Sequence, residues 1–273
     1  MKPSSGSVGN GYDANTELTQ PALPPILTAH VQAADVDVFE AAVDSAASGS
    51  LGAADCLWST RTARAEFAIV LEPDVAAHAA KQMGPLMFGA VADSLGVLMP
   101  PKTSVLLRWP STVLVNGAKA GHINLAIAEP RTPSDQPDPS TSTNVPDWLV
   151  VGASIRLYRS NKGAEPGSNP DETVLHEEGG GDLERSQVIQ SIAAHFLTRL
   201  NHWQDGGFAS AHDSIIGRIE GHEQPADIQG PDGTTWAGAT VLGISEDAEL
   251  LIKSNTGEHL ALPQFIDPQP DVS

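Results

Sequence analysis

The chain has 273 residues, 34 of them acidic and 15 basic, for a formal net charge of −19. Its hydrophobic content of 40% supports a globular core, and no stretch of about 18 apolar residues is present to span a bilayer. A surface this negative repels phosphate backbones, which excludes nucleic acid as a general partner.

The only cysteine, Cys56, rules out an intrachain disulfide and a thiolate zinc cage and fits a reducing compartment. It reads as a small buried apolar side chain, with a lone nucleophile as the alternative. Residues 1–20 read as a disordered, Ser/Gly-rich leader without the apolar stretch of a secretory signal, and the protein is expected to be cytoplasmic.

In chain order, the first helix is expected over residues 36–47, where Val38, Phe39, Ala42 and Val43 share a stripe. Cys56-Leu57-Trp58 reads as a strand, as do residues 67–71 (FAIVL), 104–108 (SVLLR) and 148–157 (WLVVGASIRL), all apolar and rich in β-branched side chains. Asp74 is placed to cap a helix reaching Leu95, with Met83, Leu86, Met87, Ala90 and Val91 on one face and Gly96 as its stop. Gly84-Pro85 is expected to kink or split that helix. Val113-Leu114-Val115 then meets Asn116-Gly117, a pair suited to a tight turn, and the chain returns with Ile123, Leu125 and Ile127 on one face. This is a hairpin.

Residues 129–146 and 160–170 are crowded with Pro, Ser, Asp and Gly and read as long loops within one domain. A further helix over 186–204 places Val188, Ile189, Ile192, Phe196, Leu200 and Trp203 at helical spacing, and Gly206-Gly207 ends it. His195 and His202 share that helix and read as polar-edge packing rather than a metal pair. The cluster His176-Glu177-Glu178-Gly179-Gly180-Gly181-Asp182 reads as a loop leading into the helix, with metal binding as the lesser alternative.

Past residue 210 the pattern changes. A short helix over 212–219 leads to brief strands near 226–229, 234–244, 249–253 and 259–262, with turns at Asp232-Gly233, Glu246-Asp247 and Asn255-Thr256-Gly257. The expected fold class is α+β: a mixed sheet backed by helices over residues 21–209, then a small β-barrel over 210–273.

The run Arg108-Trp109-Pro110-Ser111-Thr112-Val113-Leu114-Val115-Asn116-Gly117-Ala118-Lys119 resembles the biotin–protein ligase signature Lys-Trp-Pro-Asn-Asp, a strand, a turn and a second lysine. Val150-Val151-Gly152-Ala153-Ser154-Ile155-Arg156-Leu157 is similar to the family strand built around Gly-x-Gly-Ile-Asn. The terminal strands, including Gly238-Ala239-Thr240-Val241-Leu242-Gly243-Ile244, are similar to the family's C-terminal SH3-like module. The order of these pieces agrees from about residue 24 to about residue 265, so the chain resembles the biotin/lipoate–protein ligases over nearly its whole length.

The resemblance implies activation of a short-chain acid such as biotin, lipoate or octanoate by ATP, with Mg as its companion. The acyl group of the adenylate then passes to a lysine of a carrier domain. It implies a charge-balancing, catalytic role for Lys119, and an acyl- or adenylate-binding role for Arg61, Arg64, Arg108, Trp109, Pro110, Ser111, Thr112, Gly121, His122, Gly152 and Ser154. No metal-ligating set is expected, and pairing of two copies through the sheet, as some relatives do, is left open.

The departures from the family pattern all touch the nucleotide or carboxylate end. A Gly-Arg-rich loop that folds over the adenylate is replaced by Ser59-Thr60-Arg61-Thr62-Ala63-Arg64, shorter and without glycine. Ser111-Thr112 replaces Asn-Asp, Arg108 replaces a lysine, His122 stands where a second glycine meets the ligand, and Arg156 replaces the asparagine. The alternative reading is a catalytically inactive homologue that acts as a binding, regulatory or protein-interaction module.

Overall fold

The computed structural model describes residues 19–128, 145–159, 169–230 and 232–264. Most of the expected leader and of the two long loops lies outside these residues. The described chain runs through β1 (Thr28–Gln32), α1 (Val38–Ala47), β2 (Asp55–Ser59), β3 (Arg64–Leu71), α2 (Ala77–Ala80), α3 (Met83–Leu98), β4 (Val105–Arg108), β5 (Thr112–Val115), β6 (Ala118–Ile127) and β7 (Leu149–Arg156). Then follow α4 (Arg185–Gly206), α5 (Ala209–Ile216), β8 (Ala226–Gln229), β9 (Thr235–Ile244), β10 (Leu250–Lys253) and β11 (His259–Leu262).

The first seven strands form one mixed sheet in the order β1-β2-β3-β7-β6-β5-β4. Only β1 and β2 run parallel, joined by the α1 crossover, and the remaining pairs are antiparallel. β7 lies between β3 and β6 and is buried along almost its whole length, which is why its sequence is a continuous run rather than an alternating one. On one face Val38, Phe39, Ala42 and Ala46 of α1 pack with Leu57, Ala68, Val70, Ala126 and Val150. On the other, Phe67, Ile69, Ile123, Val151 and Ala153 join the main core with Phe88, Val91, Ile189, Ile192 and Phe196 of α3 and α4.

α1 starts at Val38 because Asp37 caps it, its Oδ1 accepting from the amides of Phe39 and Glu40 at 2.9 and 3.0 Å. The helix expected from Asp74 to Leu95 is two helices. α2 is a single turn with no side-chain cap, and Asp74 takes no part in capping it. α3 begins at Met83 with Pro85 in its first turn, where a missing N–H costs nothing. It also runs through Gly96 to Leu98 and stops where Met99, before Pro100, is forced extended (φ −90°, ψ 161°).

α4 carries a capping box between Glu184 and Gln187 and ends at Gly207, φ 67°. Its Arg199 crosses Gly89 of α3 to pair with Asp93 at 2.7 Å, and a β-carbon at Gly89 would meet the guanidinium carbon at 2.6 Å. The β5–β6 hairpin turns at Asn116 and Gly117, both at positive φ (50° and 88°) as this turn requires.

α5 lies three residues earlier than the helix expected over 212–219 and packs against α3, α4 and β9. The four terminal strands match their expected positions to within a residue. They form an open antiparallel sheet, β11-β10-β9-β8, and among the described residues no ladder joins β8 to β11 to close the expected barrel. The long β9 pairs on both sides, while the four-residue β8 and β11 are left as separate edges. Its apolar side chains Ile228, Val241, Ile244 and Ile252 belong to the same core as Trp109, Phe208 and Ile215. Among the described residues, no helix is long and apolar enough to cross a membrane.

Candidate functional site

One row of residues crosses the centre of the main sheet. Glu66 of β3 pairs with Ser154 of β7, Ser154 with His122 of β6, and His122 with Thr112 of β5. Residues directly opposite on neighbouring strands share a face, so these four side chains lie side by side. Three of them, Glu66, Ser154 and His122, line a small cavity at the amino end of α1 together with Asp37, Arg61 and Asn124.

Charge in the cavity is already paired. One oxygen of Glu66 accepts from Ser154 Oγ at 3.0 Å and from Arg61 Nη1 at 3.2 Å, with Arg64 Nη1 at 3.7 Å. Arg64 also donates to Ser154 Oγ at 3.4 Å. Arg61 is held from behind, its Nε donating to the Ala34 carbonyl at 3.0 Å and its amide to Ser59 Oγ at 3.0 Å. The cavity that remains measures about 40 Å³. That is near the roughly 30 Å³ share of one liquid water, and far below the ~300 Å³ at which small-molecule pockets begin.

The loop that carries Arg61 is pinned by a residue outside the sequence motifs. Arg185, at the start of α4 and only 5% exposed, donates to the Thr60 carbonyl at 2.7 Å and lies 5.4 Å from the Trp58 ring. Glu66 lies outside those motifs as well. Its only sequence signal is an acid set between Arg64 and Ala68 on the same face of a strand.

Arg61, Arg64, Ser154, His122 and Thr112 are thus brought together. Gly121 and Gly152 sit in the same strands for reasons of backbone contact. A β-carbon at Gly152 would meet the Phe67 carbonyl at 2.6 Å, and one at Gly121 would run into the Ser154 carbonyl. Ser111 lies at the head of β5, where its carbonyl accepts from the Ile123 amide at 2.9 Å.

Three motif residues are directed elsewhere. Arg108 makes a bidentate pair with Glu220 at 2.6 and 3.0 Å, and that pairing holds its guanidinium above the ordinary arginine range. Trp109 is buried, with its Nε1 donating to the Pro263 carbonyl at 3.2 Å, and its peptide bond to Pro110 is cis. These residues tie β4 to the terminal part of the chain and do not line the cavity.

Lys119 is half-buried beside the bulge of β6. Its backbone pairs with a short passing segment, N–H to the Asp171 carbonyl at 2.8 Å and C=O from the Thr173 amide at 2.9 Å. Arg156 donates to the same carbonyl and pairs with Glu172 at 3.0 Å, so it fastens that segment to β6. Among the described residues, the Lys119 ammonium makes no ion pair, and it does not line the cavity.

The His176–Asp182 segment forms the turn into α4. His176 Nε2 meets the Leu183 carbonyl at 3.0 Å, and Glu178 accepts from Thr173 Oγ1 and from Asn116 Nδ2, at 2.5 and 2.6 Å. His195 Nδ1 meets the carbonyl of Ser191, one turn back in its own helix, at 2.8 Å. Among the described residues no three His, Cys, Asp or Glu side chains gather as a metal would need. Cys56 is fully buried, and burial pushes its thiol up to about 12, which leaves no thiolate for nucleophilic chemistry near neutral pH.

A larger cleft of about 730 Å³ opens between α2, the end of α4 and the β9–β10 turn, lined by Gln82, Trp203, Phe208 and His212 among others. No residue of the motif pattern reaches it. The small cavity is the better candidate because side chains from the 59–64 loop, β6 and β7 converge on it with paired charge.

A seven-stranded mixed sheet backed by helices, with a four-stranded antiparallel sheet after it, makes an α+β scaffold. The family model for the Biotin/lipoate A/B protein ligase family matches residues 23–217, and the chain belongs to that family. It is 25% identical over 194 residues to a biotin–[acetyl-CoA-carboxylase] ligase of Paracoccus denitrificans, covering 70% of this chain and 75% of that protein. Among solved structures, it is similar to a biotin protein ligase-like protein of unknown function from Silicibacter sp. TM1040. There the TM-score is 0.73 at 28% identity, over 89% of this chain and 97% of that one. The fold is shared with the biotin protein ligase of Aquifex aeolicus solved with biotin and ATP, TM-score 0.58 at 16% identity, over 86% and 93% of the two chains.

Proposed function

We propose that the chain binds a short-chain acyl group, of the biotin or lipoate kind, or its adenylate, in the slot between the amino end of α1 and strands β3, β7 and β6. The observation that carries this reading is the convergence of Arg61, His122 and Ser154 on one cavity, from three separate segments that the family resemblance had singled out. Arg61 and Arg64 supply guanidinium donors for an oxyanion. Lys119 lies outside the cavity on the hairpin that carries His122, half-buried and without an ion pair among the described residues, and supplies a compact positive charge to the phosphate or activated carboxylate of a ligand that extends past the slot. The relatives named as biotin ligases support the acid class, and the Aquifex ligase solved with biotin and ATP supports nucleotide as co-substrate.

In the active form of this reading, ATP and the acid give the acyl-adenylate with release of pyrophosphate. A carrier-domain lysine then takes the acyl group and releases AMP. Any Mg enters with the nucleotide phosphates, which commonly supply much of its coordination. We assign the terminal sheet, open among the described residues, to the family's SH3-like module, and put the division of the chain between residues 209 and 210, in the first turn of α5.

The second reading, a catalytically inactive homologue that serves as a binding or interaction module, is favoured by the size and charge of the slot. A cavity of about 40 Å³ whose cations are paired to Glu66 admits no acyl chain until it opens. Calorimetric titration with non-hydrolysable biotinyl- and lipoyl-adenylate analogues tests the binding claim at Lys119. Lys119→Ala is expected to weaken adenylate binding at least about tenfold, the effect of losing roughly 1.4 kcal/mol, with unfolding unchanged. Equal affinity in the variant removes Lys119 from the site.

A further inference from the structure

The slot differs from an open anion site in one respect, an internal carboxylate among its cations. Glu66 rises from the middle of β3, and its side chain is 13% exposed, against 37% for Arg61 and 27% for Arg64. A single Glu66 oxygen receives Ser154 Oγ at 3.0 Å and Arg61 Nη1 at 3.2 Å, with Arg64 Nη1 at 3.7 Å. This is the arrangement that a bound oxyanion would have, made by the protein's own side chain.

The backbone holds the arrangement in place. Glu66 lies directly opposite Ser154 in an eight-residue antiparallel ladder with β7. Arg61 is fixed by its Nε on the Ala34 carbonyl at 3.0 Å, with its Nη1 on Glu66 at 3.2 Å. An oxyanion arriving at Arg61 would sit within a few ångströms of the Glu66 carboxylate, and like charges at that distance repel strongly in a partly desolvated site.

We propose that Glu66 is the specificity-determining residue of this slot: it occupies the Arg61 and Arg64 cations, so that an oxyanion, carboxylate or phosphate, binds only by displacing it. The inference rests on the reading of the slot as the acyl or adenylate site. A ligand wins entry by carrying enough additional contact, through its acyl chain or its nucleotide, to offset the loss of the Glu66 pairs.

Glu66→Gln tests this, since the amide keeps an acceptor for Ser154 and removes the charge. Glu66→Ala is the second variant, with the same expectation. The full-length wild type, both variants and the double variant Arg61→Gln/Glu66→Gln are titrated calorimetrically with octanoate, biotin, AMP, inorganic phosphate and a biotinyl-adenylate analogue. Circular dichroism confirms that each is folded. In at least one Glu66 variant, at least one oxyanion should bind about tenfold or more tighter than in the wild type, and the double variant should lose that gain. Folded variants that bind every probe as the wild type does overturn the proposal, as does a gain that survives removal of Arg61. Tighter phosphate or AMP binding without any acyl acid or adenylate sustains the role of Glu66 and contradicts the acyl reading. Equal, tight adenylate binding in wild type and variants does the reverse.

Discussion

Gly152 stands where β7 crosses β3 so closely that a β-carbon would meet the Phe67 carbonyl at 2.6 Å and Ala68 Cα at 3.2 Å. Both obstacles are backbone, in the middle of a ladder that cannot shift without moving Glu66 and Ser154. Gly152→Ala is therefore expected to lower stability by about 1–3 kcal/mol, read from urea unfolding as a lower midpoint with an unchanged slope. An unaltered midpoint would mean that the ladder relaxes freely. Cys56 gives a second test at this scale. A fully buried thiol pushed up from 9.0 to about 12 should resist alkylation near neutral pH and react only on unfolding. Its linkage has a definite sign. Because the native thiol keeps its proton between pH 9.0 and about 12 while the unfolded one loses it, stability falls as pH rises through that window. Cys56→Ala should remove that part of the alkaline loss.

Among the elements, β4 leads into motif residues whose side chains bond away from the cavity. In the sequence, Arg108 and Trp109 open the signature run. In the structure they join β4 to Glu220 and Pro263, which lie more than 100 residues away in the chain. The Arg108 side chain is 48% exposed, so its pair with Glu220 is screened and contributes about 1 kcal/mol or less. Arg108→Gln should accordingly change the unfolding free energy by no more than that and leave adenylate binding unaltered in the same titration. A loss of binding would return Arg108 to the site. The α2–α3 break is similar in kind. Composition marked Gly84-Pro85 as a weak point, but the new helix starts there because Pro85 fits a first turn, and the core face of α3 is buried all along its length.

Across the whole molecule, what was legible in the sequence was local and periodic. Asn116-Gly117 and its flanking alternation specify the β5–β6 hairpin, and regularly spaced turn residues specify β8 to β11 almost to the residue. The closure of the terminal sheet was not legible, because strand patterning fixes which residues pair inward but not whether the outer edges meet. The candidate site divides along the same line. Arg61, His122 and Ser154 were reachable through the family motifs, whereas Glu66 was not. Its role depends on a register that sets it opposite Ser154, 88 residues later, and on Arg185 holding the Arg61 loop from α4. Long-range register and packing are what a single sequence states least directly.

If the slot takes an acyl group or its adenylate, thermal unfolding of the chain, alone and with biotin, lipoate, octanoate, ATP and the biotinyl- and lipoyl-adenylate analogues, will register it. A ligand present at about 100 times its dissociation constant adds roughly 2.7 kcal/mol to the native state. For a chain of this size that appears as a rise of several degrees in the melting temperature. A rise is expected with at least one adenylate analogue, and that analogue names the acyl group. No rise with any of these compounds would rule out acyl or adenylate binding in the slot and leave the family scaffold as an interaction module.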